Sequence, residues 1–214
     1  MKTPASQLED LLGKIRKTDG GHFSEREIHS FSLYYRLILK WNRRLHLTTI
    51  TQPQAFIERH LCESEFAAAR LAPAADQLWD LGTGPGIPGI PIAILTPDLT
   101  VHLVESSRSK AIFLEEAVSE LKLSRARVVA ERIESLGNFP AGSALTARAV
   151  EKMEDLIPRI VRAGAESAQI LLFGTGQNEL SIRQLLSESM ALTAYPLPGS
   201  DQRVLFVIDR RKSG

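Results

Sequence analysis

Residues 78–92 read Leu-Trp-Asp-Leu-Gly-Thr-Gly-Pro-Gly-Ile-Pro-Gly-Ile-Pro-Ile. A short apolar run ends at Asp80. Glycines stand at 82, 84, 86 and 89, and an apolar segment begins near Pro88. A strand, a tight glycine turn and a helix in that order build the crevice where open α/β sheets hold nucleotide-like ligands. Such a turn needs glycine where φ is positive or where a ligand must approach the backbone without meeting a Cβ. The helix that follows offers unpaired N–H groups to the turn, which favours an anionic group there.

The rest of the chain has to supply a sheet for this turn to sit on. From Gln77 onward, strand and helix patterns alternate. Strands are expected at Leu78–Leu81, Thr100–Glu105, Arg127–Ala130, Leu145–Ala147 and Ala168–Phe173. Helices are expected at Pro88–Leu95, Ser107–Leu121, Met153–Val161 and Gln177–Leu186. Ala191–Tyr195 and Val204–Ile208 have no helix between them, so they are expected to form an antiparallel hairpin. The alternation implies an α/β domain, with helices on both faces of a mostly parallel sheet.

Before Gln77 the pattern is helical. Leu8, Leu11, Leu12 and Ile15 fall on one face of a helix over 4–17 that Gly20-Gly21 would stop. Ser24 and Glu27 form a capping box that opens a long second helix. A third helix is expected from Pro53 through His60 and Leu61 to the alanines before Pro73. Residues 1–76 therefore read as a helical extension, and 77–214 as the α/β domain.

The chain has 214 residues, enough for one sizeable core, and its net charge is only +1. Binding to a nucleic acid would then rest on local clustering of basic residues. Cys62 is the only cysteine, which suits a reducing compartment, and no apolar stretch is long enough to span a bilayer. The expected location is cytoplasmic.

Gly84-x-Gly86-x-x-Gly89 matches a dinucleotide fingerprint, with Glu105 at the end of the second strand to bind a ribose. Asp80 just before the first glycine and the closing hairpin point instead to S-adenosyl-L-methionine. On that reading Gly82, Gly84 and Gly86 lie against the methionine part. The two oxygens of Glu105 accept from the ribose hydroxyls, and Ile87 and Ile133 flank the adenine. Other readings stay open: a turn without a ligand, a loop-bracing carboxylate at Asp80, and plain core packing for Ile87 and Ile133.

Several segments together carry a more specific likeness. They are Trp41-Asn-Arg-Arg-Leu-His-Leu-Thr48, Arg59-His-Leu-Cys-Glu-Ser64, Asp80-Leu-Gly-Thr-Gly-Pro-Gly-Ile-Pro-Gly89, Glu105-Ser with Lys110-Ala-Ile-Phe-Leu114, Glu131-Arg-Ile-Glu134 and Thr146-Ala-Arg-Ala149. With these the chain resembles the glucose-inhibited division B (RsmG) family, bacterial methyltransferases that place a 7-methyl group on a guanine of 16S ribosomal RNA. The resemblance implies a Rossmann-like class I methyltransferase fold with an N-terminal helical extension and an antiparallel C-terminal hairpin. It also implies cofactor contacts at Gly82, Ile87, Ile133, Glu134 and Arg148. Without it, Arg148 reads as a surface arginine paired with Glu151. The family usually has Asn at His46 and Asp at Glu63, and often Lys-Gly at Phe173-Gly174.

For the reaction the resemblance implies, no catalytic base is needed. N7 of guanine has a lone pair and no proton to lose, so positioning suffices. Neither a metal cluster nor a nucleophile constellation is visible in the sequence. RNA would be gripped first by its phosphates. No acidic residue lies between Glu27 and Glu58, and Arg36, Lys40, Arg43 and Arg44 fall in that gap. They are the expected RNA contacts, with Arg108 and Lys110 beside the cofactor. Tyr34, Tyr35 and Trp41 read as core packing before base stacking. The expected partner is 16S ribosomal RNA, free or within the small subunit, met by a monomer without membrane or metal. The alternatives are a nicotinamide oxidoreductase and a non-catalytic cofactor- or RNA-binding module.

Overall fold

The computed structural model describes residues 3–18, 23–148, 153–163 and 169–210. The expected helix stop at Gly20-Gly21, residues Ala149, Glu151 and Ala168, and the tail 211–214 lie outside them. Seven strands form one sheet: β1 (Gln77–Leu81), β2 (Thr100–Val104), β3 (Ala126–Val129), β4 (Ala144–Arg148), β5 (Gln169–Thr175), β6 (Met190–Pro196) and β7 (Arg203–Arg210). Their spatial order is β3-β2-β1-β4-β5-β7-β6. The first five are parallel. β7 inserts antiparallel beside β5, and β6 closes the edge antiparallel to β7. The sheet is thus mostly parallel with a reversed C-terminal hairpin, and its order changes direction between β1 and β4.

The helices are α1 (Pro4–Thr18), α2 (Glu25–Leu45), α3 (Pro53–Phe56), α4 (Glu63–Ala68), α5 (Gly89–Leu95), α6 (Arg108–Glu120), α7 (Met153–Ala163) and α8 (Asn178–Leu185). The capping box at Ser24 and Glu27 is formed, with reciprocal side-chain and backbone bonds opening α2. At its far end His46 takes a left-handed conformation, with φ 46°. The expected third helix is not one regular helix. A π-helical stretch, Ile57–Cys62, separates α3 from α4. Apolar periodicity does not register the one-residue shift in hydrogen bonding, and such bulges cluster at functional sites.

Alternation along the strands divides the interior in two. Leu78, Leu103, Ala144, Leu171 and Leu205 face one side, where they share a core with α1, α2, α5 and α6. Leu81, Leu145, Ile170, Leu172 and Phe206 face the other, with Ile157, Ile160 and Ile182 of α7 and α8. The helices before β1 therefore belong to the same apolar cluster as one face of the sheet. Tyr34 and Tyr35 of α2 are fully buried in that cluster, which settles them as core residues. Trp41 packs its ring edge-to-face on Phe113 of α6, with centroids 6.1 Å apart.

Candidate functional site

The glycine turn joins β1 to α5 at the carboxyl end of the sheet, beside the change of strand order. Gly82, Gly84 and Gly86 have φ of 68°, 58° and 92°, a region that side chains strain to enter. Their surroundings differ. A Cβ on Gly84 would meet nothing nearer than the Gly82 carbonyl at 4.0 Å, so this residue leaves one side of the turn open. A Cβ on Gly86 would come within 2.5 Å of Ile90, and one on Gly89 would collide with Leu103 and Asp80. The latter two glycines serve close packing of the turn on its own helix and sheet.

Asp80 is fully buried beneath the turn. Its Oδ2 accepts from the Thr83 hydroxyl at 2.5 Å and from the Gly89 N–H at 2.8 Å. The start of α5 is thus already matched to an anion of the protein itself, and Ile90 N–H is taken by the Gly86 carbonyl. The expectation that this helix end offers free N–H groups to a ligand is corrected accordingly. Burial pushes the Asp80 carboxyl up to about 6, against the pull of its two hydrogen bonds. Its Oδ1 has no partner, and neither does Oγ1 of Thr146, its register neighbour on β4.

Glu105 follows β2 and is 6% exposed. Its Oε2 accepts from Gly84 N–H at 3.1 Å and its Oε1 from Ser107 N–H at 2.8 Å. One carboxylate therefore ties the open part of the glycine turn to the start of α6. Each oxygen keeps a lone pair for a ligand hydroxyl. Tyr34 reaches the same turn from α2. Its hydroxyl donates to the Pro85 carbonyl at 2.6 Å, so the helical extension braces the loop directly. Burial, then the nearby Asp80 charge, raises the Tyr34 phenol well above its ordinary value and keeps it protonated.

Ile87 is buried at the root of the turn, and Ile133 is half-buried in a short 3-10 turn after β3. Glu134 beside it is exposed. Both isoleucines pack against core clusters, as their plain reading required. They also lie on loops that follow β1 and β3, at the carboxyl edge of the sheet.

Arg148 ends β4 and is not a surface residue, with 11% of its side chain exposed. Its Nη2 lies 2.7 Å from Oε2 of Glu63, a close ion pair without hydrogen-bond alignment, and donates to the Arg59 carbonyl at 2.7 Å. Its Nη1 is buried and has no partner. Its guanidinium sits 5.0 Å from the ring of Phe173, so a cation does stand at the end of β5 although residue 173 is not lysine. Glu63, Arg59 and Arg203 around it were not expected as site residues. Arg59 and Glu63 are four apart on a helix, which the sequence does display. The link to Arg203, 140 residues away, leaves no sequence signal.

His60 is buried in the π-helical stretch between Thr48, at 3.3 Å, and the Phe56 ring. Burial, followed by the Arg148 charge, lowers it to about 3, so the imidazole stays neutral. Cys62 is pushed up to about 11 by burial and surrounding glutamates, so it is no thiolate nucleophile. Among the described residues no His, Cys, Asp and Glu side chains cluster as metal ligands, and no helix is long and apolar enough to cross a membrane.

The six basic residues expected to meet RNA lie on α2 and on the first turn of α6. Arg36, Arg43, Arg44 and Arg108 are exposed, and Lys110 is half-buried. Lys40 is paired with Glu116 at 2.8 Å, which lessens its share of the positive field. The contacts Lys40–Glu116 and Trp41–Phe113 run antiparallel. The basic end of α2 therefore lies alongside the basic start of α6.

The fold recurs in solved methyltransferase structures. A putative O-methyltransferase from Klebsiella pneumoniae superposes with a TM-score of 0.61 at 15% identity, covering 97% of this chain and 98% of that one. The putative methyltransferase yhhF from Escherichia coli superposes at 0.57 and 18% identity, over 71% of this chain and 87% of that one. At such identities the likeness concerns the fold. Sequence relatives are nearer. A ribosomal RNA small subunit methyltransferase G of Xanthomonas oryzae is 44% identical over 124 residues, 58% of each chain. One from Stenotrophomonas maltophilia is 46% identical over 131 residues, 61% of this chain and 59% of the relative. The chain thus spans under two thirds of the length of these relatives. The family described as GidB, rRNA small subunit methyltransferase G, matches residues 27–195, most of the chain. The chain belongs to the GidB family.

Proposed function

We propose that the protein transfers a methyl group from S-adenosyl-L-methionine to N7 of a guanine in 16S ribosomal RNA. The observation that carries this reading is the set of buried groups left unmatched at the carboxyl ends of β1 and β4, in a chain of this family. Arg148 Nη1 lacks an acceptor, and Asp80 Oδ1 lacks a donor. A ligand with a carboxylate and an ammonium on one carbon supplies both. Glu105 adds acceptor capacity for a ribose, the open side of Gly84 admits a ligand to the backbone, and Ile87 and Ile133 offer apolar surface for a purine. The residues present fit the cofactor. We assign its binding to Asp80, Gly82, Gly84, Gly86, Ile87, Glu105, Ile133, Glu134 and Arg148.

When bound, the sulfonium supplies an activated methyl. The chain then has to orient and desolvate. Glu105 holds the turn through Gly84 and the start of α6 through Ser107, and Tyr34 holds the turn through the Pro85 carbonyl. A loop fixed at Gly84 and Pro85 would hold a bound methyl donor still for in-line attack by a ring nitrogen, and positioning is the larger part of a displacement without proton transfer. No side chain is assigned as general base or acid. We take residues 1–76 as the RNA-contact extension and 77–214 as the methyltransferase domain. Arg36, Arg43, Arg44, Arg108 and Lys110 serve as phosphate contacts, with Lys40 in a lesser role. The cofactor is tested by calorimetric titration with S-adenosyl-L-methionine and, separately, with reduced nicotinamide cofactors. Binding of the former alone is expected, and binding of a nicotinamide cofactor alone would overturn the reading.

A further inference from the structure

A second charged cluster lies beside the cofactor crevice, and the cofactor does not account for all of it. Glu63 of α4 is fully buried. Its Oε1 accepts from Nε of Arg203 at 2.8 Å, with Nη2 of that arginine also at 2.8 Å. Nε of Arg59 stands 3.5 Å from the same oxygen, and Arg148 Nη2 lies 2.7 Å from Oε2. Three guanidiniums thus converge on one carboxylate. Among the described residues no other carboxylate forms an ion pair with any of the three. By these ion pairs three guanidiniums face one carboxylate in a half-buried place, where solvent screens charge poorly, and the Asp80 carboxylate acts on Arg148 from farther off.

The arrangement is open on one side. The side chains of Arg59 and Arg203 are 39% and 26% exposed, while those of Arg148 and Glu63 are 11% and 0% exposed. Arg148 closes a parallel strand and Arg203 opens an antiparallel one, so both stand at the carboxyl edge of the sheet, where the glycine turn also lies. Nε of Arg59 is a buried donor without an acceptor, as is Nη1 of Arg148, which the cofactor reading above already assigns. Leaving such donors unmatched costs free energy, and guanidiniums meet oxyanions in a planar, forked geometry. Glu63 does not neutralise the group. It fixes three long side chains in one arrangement, so that little rotamer freedom is left to lose on binding.

We propose that Arg59 and Arg203, held by Glu63 beside Arg148, form a seat for a backbone phosphate of the RNA strand that presents the target base. The inference rests on the RNA reading above. It differs from the α2 and α6 contacts in lying on the β4–β7 side of the crevice. RNA held on both sides of the cofactor has its base directed into the crevice between them. The cofactor's carboxylate is the other oxyanion at hand, but it needs only Arg148 and leaves the two half-buried arginines unused.

The test uses the full chain, with Arg203→Gln and Arg59→Gln made singly. Thermal unfolding checks that each variant folds, and Arg203→Lys keeps the charge should the neutral variant fail. Binding of a fluorescent 16S RNA fragment is measured by anisotropy over a range of salt, and S-adenosyl-L-methionine binding by calorimetry. Each neutral variant is expected to lose RNA affinity several-fold and to lower the salt slope by about 0.7, one phosphate contact on a single strand. Arg203→Lys keeps the wild-type slope. Cofactor affinity stays within about two-fold in all of them, since the cofactor's carboxylate is assigned to Arg148 and to neither of these two arginines. An unchanged salt slope in both neutral variants overturns the seat. So does a large loss of cofactor affinity with RNA binding intact, which would assign the cluster to the cofactor's carboxylate. Failure of the unaltered protein to bind RNA overturns the seat together with the RNA reading.

Discussion

Asp80 allows a sharp test, because its two oxygens have opposite circumstances. Oδ2 braces the turn through Thr83 and Gly89, and Oδ1 is buried without a partner. Asp80→Asn retains an oxygen that can accept both bonds and removes the charge. The carboxyl is raised from 3.8 to about 6, so the folded chain holds this proton more tightly than the unfolded chain. The stability this gives is fully present below about pH 4 and is lost as pH rises through about 6, a difference of roughly 3 kcal/mol. His60 works in the opposite sense. Its imidazole, lowered to about 3, costs stability as pH falls below 6.5, so the wild-type curve alone blurs the effect. The difference between wild type and Asp80→Asn cancels His60, and the fixed cost of a new buried amide shifts that difference equally at every pH. Urea unfolding of both proteins without cofactor is the assay. Between about pH 4 and pH 7 the wild type should lose roughly 3 kcal/mol relative to the variant. A difference that stays flat across this window would refute the claim that Asp80 is held in a desolvated, poorly compensated state.

Other substitutions separate the parts of the site. Glu105→Ala removes the acceptor for Gly84 and Ser107 as well as the proposed ribose partner. Calorimetry should show cofactor affinity reduced by about 100-fold, from two charge-assisted bonds of ~1.5 kcal/mol each. Tyr34→Phe leaves the Pro85 carbonyl without its donor. It should destabilise by roughly 1–3 kcal/mol in chemical unfolding and weaken cofactor binding, tying the helical extension to the loop. Arg43→Ala with Arg44→Ala should spare cofactor affinity and lower the salt slope of RNA binding by about 1.4, since each lost single-strand phosphate contact removes about 0.7. Equal cofactor loss in this double variant and in Glu105→Ala would contradict that division of labour.

Much of the fold is written in short-range pattern. Strand alternation placed every strand of the sheet to within a few residues, and the absent helix between Tyr195 and Val204 announced the hairpin. The glycine turn and Glu105 are legible because their chemistry restricts residue type within about twenty positions. Distant pairings are not legible in this way. Tyr34 meets Pro85 across 51 residues, and Arg148 meets the Arg59 carbonyl across 89. Each side chain alone reads as a core tyrosine or a surface arginine, and only the packing of the helical extension on the sheet brings them to the site. Arg148 illustrates the point. Glu151 reads as its partner by spacing and lies outside the described residues; among those, the carboxylate beside it is Glu63, from the segment before the sheet begins. The π-helical stretch was hidden for a different reason. Its apolar positions continue the helical rhythm, and that rhythm does not register a change in backbone hydrogen bonding.

Transfer of a labelled methyl from S-adenosyl-L-methionine to small-subunit ribosomal RNA tests the central claim most directly. The RNA is digested to nucleosides after incubation, with Glu105→Ala as the control. The account predicts label in 7-methylguanosine at a single position and near-background transfer by the variant. Label in another nucleoside, or no transfer to free RNA and assembled subunits alike, would contradict it.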